Sequence, residues 1–203
     1  MHIMIRGVIF DIGGVVIRTP QEEYYSYLSE VSGKNLNKVQ GLIKSRLPSF
    51  ETGKINLDKF STEMSKALGI NKSQFRWIEF YKERVKVNKP VIRIASGIHK
   101  KYTTAYLTNV DRNRHAFTVK LFPKNIFDYK FTSFSIGYSK PDPKIYEYVI
   151  KKISLAPSEL LLIDNELQNI RSARKIGMHA VQFKNVKLLK DKLSGLDIAL
   201  DKR

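Results

Sequence analysis

The sequence predicts an α/β fold in which an open, parallel, Rossmann-like sheet carries an inserted small helical cap domain. Two observations predict it. From about residue 90 onward, short apolar runs alternate with amphipathic helical segments, the pattern of parallel strands joined by crossover helices. Between about residues 20 and 87 the pattern is helical throughout. We therefore expect a core domain formed by residues 1–18 and 88–203 and a cap domain formed by residues 19–87.

The first strand and the cap helices follow from local patterns. Ile3–Phe10 is an apolar run that ends at Asp11 in a tight Asp-Ile-Gly-Gly loop, as expected of a buried strand. In the cap, one helix is predicted between an N-cap at Asn56 and a stop at Gly69. Its apolar face is formed by Leu57, Phe60, Met64 and Leu68.

The second half of the chain supplies the rest of the sheet. Helices are predicted from Pro90, over 112–121, over Pro143–Ile153 and over Asn169–Ile176. Strands are predicted over Thr103–Leu107, within Phe127–Phe134, over Glu159–Ile163 and over Met178–Phe183. Because strands and helices alternate, the strands should run parallel and be joined by right-handed crossovers.

Composition excludes several classes of protein. Hydrophobic residues make up 42% of the chain and charged residues 27%, which are globular values rather than those of a disordered or collagen-like chain. The absence of cysteine excludes disulfides, thiolate catalysis and cysteine-based zinc sites. No apolar run approaches the roughly 18 residues that a membrane-spanning helix needs. We expect a cytoplasmic protein with no membrane partner.

The net charge of +17 is unusual and attracts anions, among them phosphate esters and nucleic acid. The basic residues are spread along the chain, and no nucleic-acid-binding motif accompanies them. A solvated basic surface is therefore the favoured interpretation, and nucleic-acid binding is the alternative. The sequence indicates no oligomeric state.

Polar residues follow four of the predicted strands, and ligands of open α/β sheets bind at the carboxyl ends of the strands. Asp11 follows the first strand, Thr108 and Asn109 the second, Lys140 lies in the loop after the third, and Asp164 follows the fourth. Two carboxylates can hold Mg²⁺, and a carboxylate can attack phosphorus. Lysine and hydroxyl groups can bind phosphoryl oxygens.

Four motifs contain these residues and occur in order along the chain. They are Val8-Ile9-Phe10-Asp11-Ile12-Gly13-Gly14-Val15, Tyr106-Leu107-Thr108-Asn109, Ser139-Lys140-Pro141-Asp142-Pro143-Lys144-Ile145-Tyr146 and Leu161-Leu162-Ile163-Asp164-Asn165. Together they resemble the haloacid dehalogenase-like (HAD) superfamily, whose members are mostly phosphatases that use an aspartyl-phosphate and Mg²⁺. The insertion resembles the small cap of the dehalogenase/phosphoglucomutase-like branch, and Phe50-Glu51-Thr52-Gly53-Lys54-Ile55 resembles a segment of sugar-phosphatase-like members.

The resemblance implies a role for each matching residue. Asp11 would be the nucleophile and a metal ligand, and Lys140 would pair with the nucleophile and the phosphoryl charge. Thr108 would hydrogen-bond a phosphoryl oxygen, and Asn109 would orient the substrate or its loop. Mg²⁺ would be held by Asp11, by the backbone carbonyl of Gly13 and by Asp164.

Two positions depart from the pattern of the family. Gly13 stands where the family usually has a second aspartate that acts as general acid and base. Such help is worth about 10²–10⁴ in rate, so its loss should hurt most with a poor leaving group. Asn165 stands where a second aspartate is common, and Glu166 beside it is a candidate replacement. With two fewer carboxylates, weaker Mg²⁺ binding is expected.

Three functions follow from these residues. The leading hypothesis is a Mg²⁺-dependent phosphohydrolase that acts on a small phosphorylated metabolite through an aspartyl-phosphate. The second is a catalytically weak binding or regulatory protein of the same fold, with nucleic acid as a candidate ligand. The third is carbon–halogen hydrolysis, which also uses a nucleophilic aspartate but needs no metal.

Overall fold

Residues 4–199 of the chain are described by a computed structural model, and a parallel five-stranded sheet lies at its centre. The strands are β1 (Gly7–Phe10), β2 (Ile17–Arg18), β3 (Lys86–Val87), β4 (Thr103–Thr108), β5 (Tyr129–Thr132), β6 (Leu160–Asp164) and β7 (His179–Gln182). The order across the sheet is β5-β4-β1-β6-β7, and all neighbours run parallel. The predicted open α/β sheet is confirmed.

Helices cover both faces of this sheet. Every residue of β1 and β6 is buried, as expected of central parallel strands between two helical layers. One apolar layer centres on Phe10 and Tyr106, and the other on Ile9 and Tyr146. The helices are α1 (Gln21–Ser32), α2 (Leu36–Glu51), α3 (Leu57–Leu68), α4 (Lys72–Phe75), α5 (Trp77–Arg84), α6 (Lys89–His99), α7 (Arg112–Thr118), α8 (Ser133–Ile136), α9 (Pro143–Ile153), α10 (Leu167–Lys175) and α11 (Val186–Ser194).

Helices α1 to α5 form the predicted insertion between β1 and the rest of the sheet, and they have an apolar cluster of their own. Aromatic rings fill much of it, with Phe50 stacked on Phe60 and the edge of Tyr24 against Trp77. The helix predicted between Asn56 and Gly69 is α3. The Asn56 side chain caps its start by accepting a hydrogen bond from the Lys59 N–H, and Gly69 ends it in a left-handed conformation.

An antiparallel pair of two-residue strands, β2 and β3, joins the two ends of the insertion and forms its neck. Strand β2 lies just before it and β3 just after, with Ile17 opposite Val87 and Arg18 opposite Lys86. The Asn88 side-chain amide adds a hydrogen bond to the Val15 carbonyl at 3.1 Å. The chain thus leaves and re-enters the sheet region at one place, next to the loop that follows β1.

Several elements differ in extent from the sequence prediction. Strand β1 begins at Gly7, and Ile3 lies outside the described residues. Helix α7 ends at Thr118 rather than at residue 121, because the backbone tightens there: Leu121 donates to the carbonyl three residues back. Helix α10 begins two residues early, at Leu167. The sequence analysis did not predict α8, α11 and the β2–β3 pair. No helix within residues 4–199 is long and apolar enough to cross a membrane.

Candidate active site

The predicted site residues gather at the carboxyl edge of the sheet. Asp11 directly follows β1, Asp164 ends the neighbouring β6, and Thr108 ends β4 on the other side of β1. Lys140 reaches the same edge from the loop between α8 and α9. This convergence follows from parallel topology, which brings the ends of all strands to one edge.

Lys140 bridges the two carboxylates. Its Nζ lies 2.9 Å from Asp11 Oδ1 and 2.5 Å from Asp164 Oδ2. The side chain of Lys140 is 1% exposed, that of Asp164 is fully buried and that of Asp11 is 10% exposed. Asp11 Oδ1 also accepts a hydrogen bond from the Ile12 N–H at 2.7 Å. Among the described residues nothing hydrogen-bonds to Asp11 Oδ2, so this oxygen keeps its lone pairs for another partner.

One ammonium faces two carboxylates in this buried cluster, and the charges do not balance. Burial raises the pKa of Asp11 to about 7; the charge of Lys140 opposes this rise and that of Asp164 adds to it. Burial lowers the pKa of Lys140, but the two carboxylates more than offset that effect and its pKa lies above the usual value. The lysine is therefore charged, and a further cation beside Asp11 would favour the ionised form of that carboxylate.

Asp164 is held rigidly by groups that the sequence analysis missed. Asn169, in the first turn of α10, donates from Nδ2 to both Asp164 oxygens at 3.0 Å. The Glu166 N–H donates to Asp164 Oδ1 at 2.8 Å. Asn169 is 4% exposed. A polar residue on the apolar side of a helix that follows a strand-end aspartate is the sequence signal that could have found it.

Asn109 fixes the loop that carries Lys140. Its Nδ2 donates to the Lys140 carbonyl at 2.8 Å, and its Oδ1 accepts from the Lys140 N–H at 2.9 Å. Thr108 has a different environment, since no described residue hydrogen-bonds to its hydroxyl. Thr108 and Gly13 line the same cavity beside Asp11. The peptide bond between Lys140 and Pro141 is cis.

Asn165 and Glu166 are placed differently from each other. The Asn165 amide lies against Gly14, where a Cβ would come within 2.8 Å of it. Gly14 also has φ of +81°, so two constraints favour glycine at this position. Asn165 Nδ2 donates to Glu166 Oε1 at 2.9 Å, while Asn165 Oδ1 is buried without a partner among the described residues. The Glu166 carboxylate itself lies on an exposed residue.

The donor set fits a small divalent cation that prefers oxygen ligands. No described residue donates a hydrogen bond to the backbone carbonyl of Gly13, and the buried Asn165 Oδ1 is unpartnered. Together with Asp11 and Asp164 these are hard oxygen donors. No group of three or more histidine, cysteine or acidic side chains that could hold a metal occurs within residues 4–199. Mg²⁺ commonly binds to one or two carboxylates and keeps several waters, so two carboxylates with neutral oxygens suit it.

A second charged cluster joins the helical insertion to the sheet region, and the sequence analysis assigned it no role. Arg114 of α7 donates from Nη2 to Glu51 Oε1 at 2.8 Å and from Nε to Asp111 Oδ2 at 2.5 Å. The guanidinium lies over the Trp77 ring at 4.5 Å, and Trp77 Nε1 donates to Asp111 Oδ2 at 3.2 Å. Ser133 Oγ donates to the Glu51 carbonyl at 2.5 Å. Glu51 therefore lies at the junction, where its side chain is only 12% exposed.

The proteins and solved structures similar to this chain include two phosphatases and a HAD family enzyme. A D-ribitol-5-phosphate phosphatase of Bacteroides thetaiotaomicron is 24% identical over 199 residues, covering 90% of this chain and 93% of that protein. A sesquiterpene phosphatase of Aspergillus oryzae is 26% identical over 179 residues, covering 85% and 87%. A HAD family enzyme of B. thetaiotaomicron, solved in complex with magnesium and inorganic phosphate, superposes with a TM-score of 0.74 at 18% identity, covering 89% and 94%.

The match to a protein-family sequence model agrees with these similarities. The structural match, at under a quarter of residues identical, establishes the fold. The model of the haloacid dehalogenase-like hydrolases matches residues 5–177, which include Asp11, Thr108, Lys140 and Asp164. The chain therefore belongs to the haloacid dehalogenase-like hydrolases.

Proposed function

We propose that this protein is a Mg²⁺-dependent phosphohydrolase that acts on a small phosphorylated metabolite through an aspartyl-phosphate on Asp11. The observation that carries the proposal is the buried Lys140 bridge between Asp11 and Asp164, which leaves Asp11 Oδ2 without a hydrogen-bond partner among the described residues. A fixed carboxylate oxygen beside a buried cation suits attack on an anionic phosphoryl group. Two similar proteins are phosphatases by name, which also supports it.

In the proposed reaction, Asp11 Oδ2 donates an electron pair to phosphorus as the bond from phosphorus to the ester oxygen breaks. The leaving oxygen takes that bond pair and a proton from water. A second water then attacks the phosphoryl group, releases inorganic phosphate and restores the Asp11 carboxylate. Positioning and charge supply most of the catalysis in phosphoryl transfer.

Each neighbouring residue has a proposed task. The ammonium of Lys140 stabilises the phosphoryl charge, and the Thr108 hydroxyl donates a hydrogen bond to a phosphoryl oxygen. Asn109 keeps Lys140 in place through its two hydrogen bonds to the Lys140 backbone. Its Nδ2 has a second hydrogen for the substrate.

Mg²⁺ would be held by Asp11, the Gly13 carbonyl and Asp164, and when bound it would neutralise phosphoryl charge. Burial raises the pKa of Asp11, and a cation bound there would oppose that rise and favour the carboxylate. Because Asp164 already accepts from Lys140, Asn169 and the Glu166 N–H, its contribution to the metal is shared with those donors.

We also propose that residues 19–87 act as a cap over a core formed by residues 1–18 and 88–203. The neck formed by β2 and β3 supports these boundaries, because it pairs the two ends of the insertion. Closure of the cap would exclude water from the site.

The test is a phosphatase screen over acetyl phosphate, an aryl phosphate, sugar and polyol phosphates and nucleotides, with and without Mg²⁺. The proposal expects turnover that requires Mg²⁺ and disappears in Asp11→Asn. Unchanged turnover in Asp11→Asn rejects the mechanism. Activity on a 2-haloacid without metal would favour the dehalogenase alternative. Absence of any turnover together with salt-sensitive binding of DNA or RNA would favour the binding-protein alternative.

A further inference from the structure

A small cavity extends from the candidate active site to the junction of the helical insertion with the sheet region. It has a volume of about 40 Å³. Its wall includes Gly13 and Thr108 of the candidate site together with Tyr81, Arg114 and His115. A cavity of this size holds a few water molecules or a short chain of carbon and oxygen atoms.

Gly13 keeps this cavity open. A Cβ built at Gly13 would meet Thr19 Cγ2 at 3.6 Å and no other neighbouring atom within 4 Å. Thr19 is itself part of the cavity wall. The position that lacks an acidic side chain therefore provides space two residues after the proposed nucleophile Asp11.

The polar groups of the wall are mainly neutral hydroxyls, and they occur in pairs. Tyr81 Oη and Thr118 Oγ1 are 2.5 Å apart, and Tyr106 Oη and His115 Nε2 are 2.8 Å apart. Burial lowers the pKa of His115, which favours its neutral ring. Thr118 Oγ1 also donates to the Arg114 carbonyl at 2.8 Å, so Tyr81 is the donor in its pair. Both of these hydroxyl oxygens can still accept a hydrogen bond, which a hydroxyl of a ligand could donate.

Arg114, the one formally charged side chain in the wall, is already paired with two carboxylates. Arg114 binds both Glu51 and Asp111, and two carboxylates against one guanidinium give the cluster a net negative charge. The side chains of Arg114 and Glu51 are only 14% and 12% exposed, so water screens these charges weakly. A second anionic group on a substrate would find no free cation here.

We infer that this cavity takes the leaving group, and that it selects a short, uncharged, hydroxyl-bearing alcohol over one of the same size that carries a second negative charge. Glu51 is then a specificity-determining residue that acts through Arg114, because its carboxylate supplies the excess negative charge. The inference rests on the proposed phosphatase function and adds the class of substrate.

The test compares two substrates of matched skeleton, glycerol 3-phosphate and 3-phosphoglycerate, which differ in a hydroxymethyl against a carboxylate group. The wild-type protein should show a kcat/KM at least tenfold higher for glycerol 3-phosphate. Glu51→Gln keeps a hydrogen-bonding side chain but removes the charge, so it should reduce this ratio about tenfold, mainly by improving 3-phosphoglycerate. Glu83→Gln removes the same charge from the exposed pairs with Arg76 and Arg84 and should leave the ratio unchanged.

Acetyl phosphate turnover tests the phosphatase function separately from the selectivity of the cavity. If acetyl phosphate is hydrolysed but the wild-type ratio is close to one, the inference is overturned and the proposed function stands. An unchanged ratio in a folded Glu51→Gln also overturns the role of Glu51. If that variant does not fold, Asp111→Asn removes the other carboxylate and should change the ratio in the same direction. If none of the three phosphates is hydrolysed, both the function and the inference fail.

Discussion

Replacing Arg114 with methionine should cost a large part of the stability of this protein. Methionine keeps much of the length of the side chain but removes the guanidinium hydrogen bonds to Glu51 Oε1 and Asp111 Oδ2, while the backbone N–H at position 114 still donates to Asp111 Oδ1. Both carboxylates would remain in a junction that is almost closed to water, with side-chain exposures of 12% and 1%. The contact of the guanidinium with the Trp77 ring would also be lost.

Removing one partner of a buried ion pair typically costs about 3–5 kcal/mol, because the other charge is left uncompensated. The cation–π contact adds roughly 0.5–2 kcal/mol, and the new apolar contacts of methionine offset part of that. We therefore expect a loss of about 4 kcal/mol in the free energy of unfolding. For a chain of this size, that loss corresponds to a decrease in Tm of roughly 10 °C.

The stability lost in Arg114→Met should also depend on pH. Burial raises the pKa of Glu51 in the folded protein, and Arg114 opposes the rise. Without Arg114 the pKa rises further, so the folded state binds a proton that the unfolded state releases. Stability is then highest below the usual glutamate pKa and falls as pH increases through the raised value. Arg114→Met should lose more stability between pH 5 and pH 8 than the wild-type protein does.

Urea unfolding at pH 5 and pH 8 measures both effects. Arg46→Met is the matched control, because Arg46 also pairs with a glutamate, Glu63, but its side chain is 51% exposed. Exposed pairs are worth up to about 1 kcal/mol. The reasoning is refuted if the two variants lose equal stability, or if the loss in Arg114→Met is the same at both pH values.

Three further results are expected. Gly13→Asp should raise kcat for alkyl phosphates about 10- to 100-fold and leave kcat for acetyl phosphate nearly unchanged. The reason is that the variant places a carboxylic acid beside the leaving oxygen, at a position that has room for a side chain. Steady-state kinetics on both substrates tests this prediction, and an equal change in kcat for both would contradict it. Asn169→Ala should raise the Mg²⁺ concentration needed for half-maximal activity about 10- to 100-fold, since Asp164 loses the donor that orients it. A Mg²⁺ titration of activity identical to that of the wild-type protein would count against this role of Asn169. Asn113→Ala, on the exposed side of α7, is the control. His115→Gln should flatten the pH dependence of stability in mildly acidic solution. Burial lowers the pKa of His115, so in mildly acidic solution the unfolded chain takes up a proton that the folded protein does not. Wild-type stability therefore falls as pH falls below the usual histidine pKa of about 6.5. Urea unfolding from pH 5 to pH 8 would contradict this if the free energy of unfolding changed with pH equally in the two proteins.

The fold and the convergence of the candidate site residues could be predicted because each is encoded in a short stretch of sequence. Asp11 and Asp164 directly follow apolar runs that form β1 and β6, and parallel strands bring their ends to one edge. Lys140 was identified through its Lys-Pro-Asp-Pro context. These inferences need only local patterns and one topological rule.

The remaining features depend on contacts between distant parts of the chain. Arg114 and Glu51 are 63 positions apart, and neither stands out among many charged residues in the sequence. Asn169 resembles any polar residue near the start of a helix until its contacts with Asp164 are known. Strands β2 and β3 have two residues each, which is too short to show a periodic pattern. Their pairing is set by the return of the insertion to its starting point.

The central claim is that Asp11 forms a covalent bond to phosphorus. The most direct measurement mixes the protein with acetyl phosphate and Mg²⁺, reduces any acyl phosphate with borohydride and locates the reduced residue by peptide mass spectrometry. Homoserine at position 11, formed only when phosphate donor and Mg²⁺ are both present, is the expected result. Continued release of phosphate with Asp11 unmodified throughout would contradict the account.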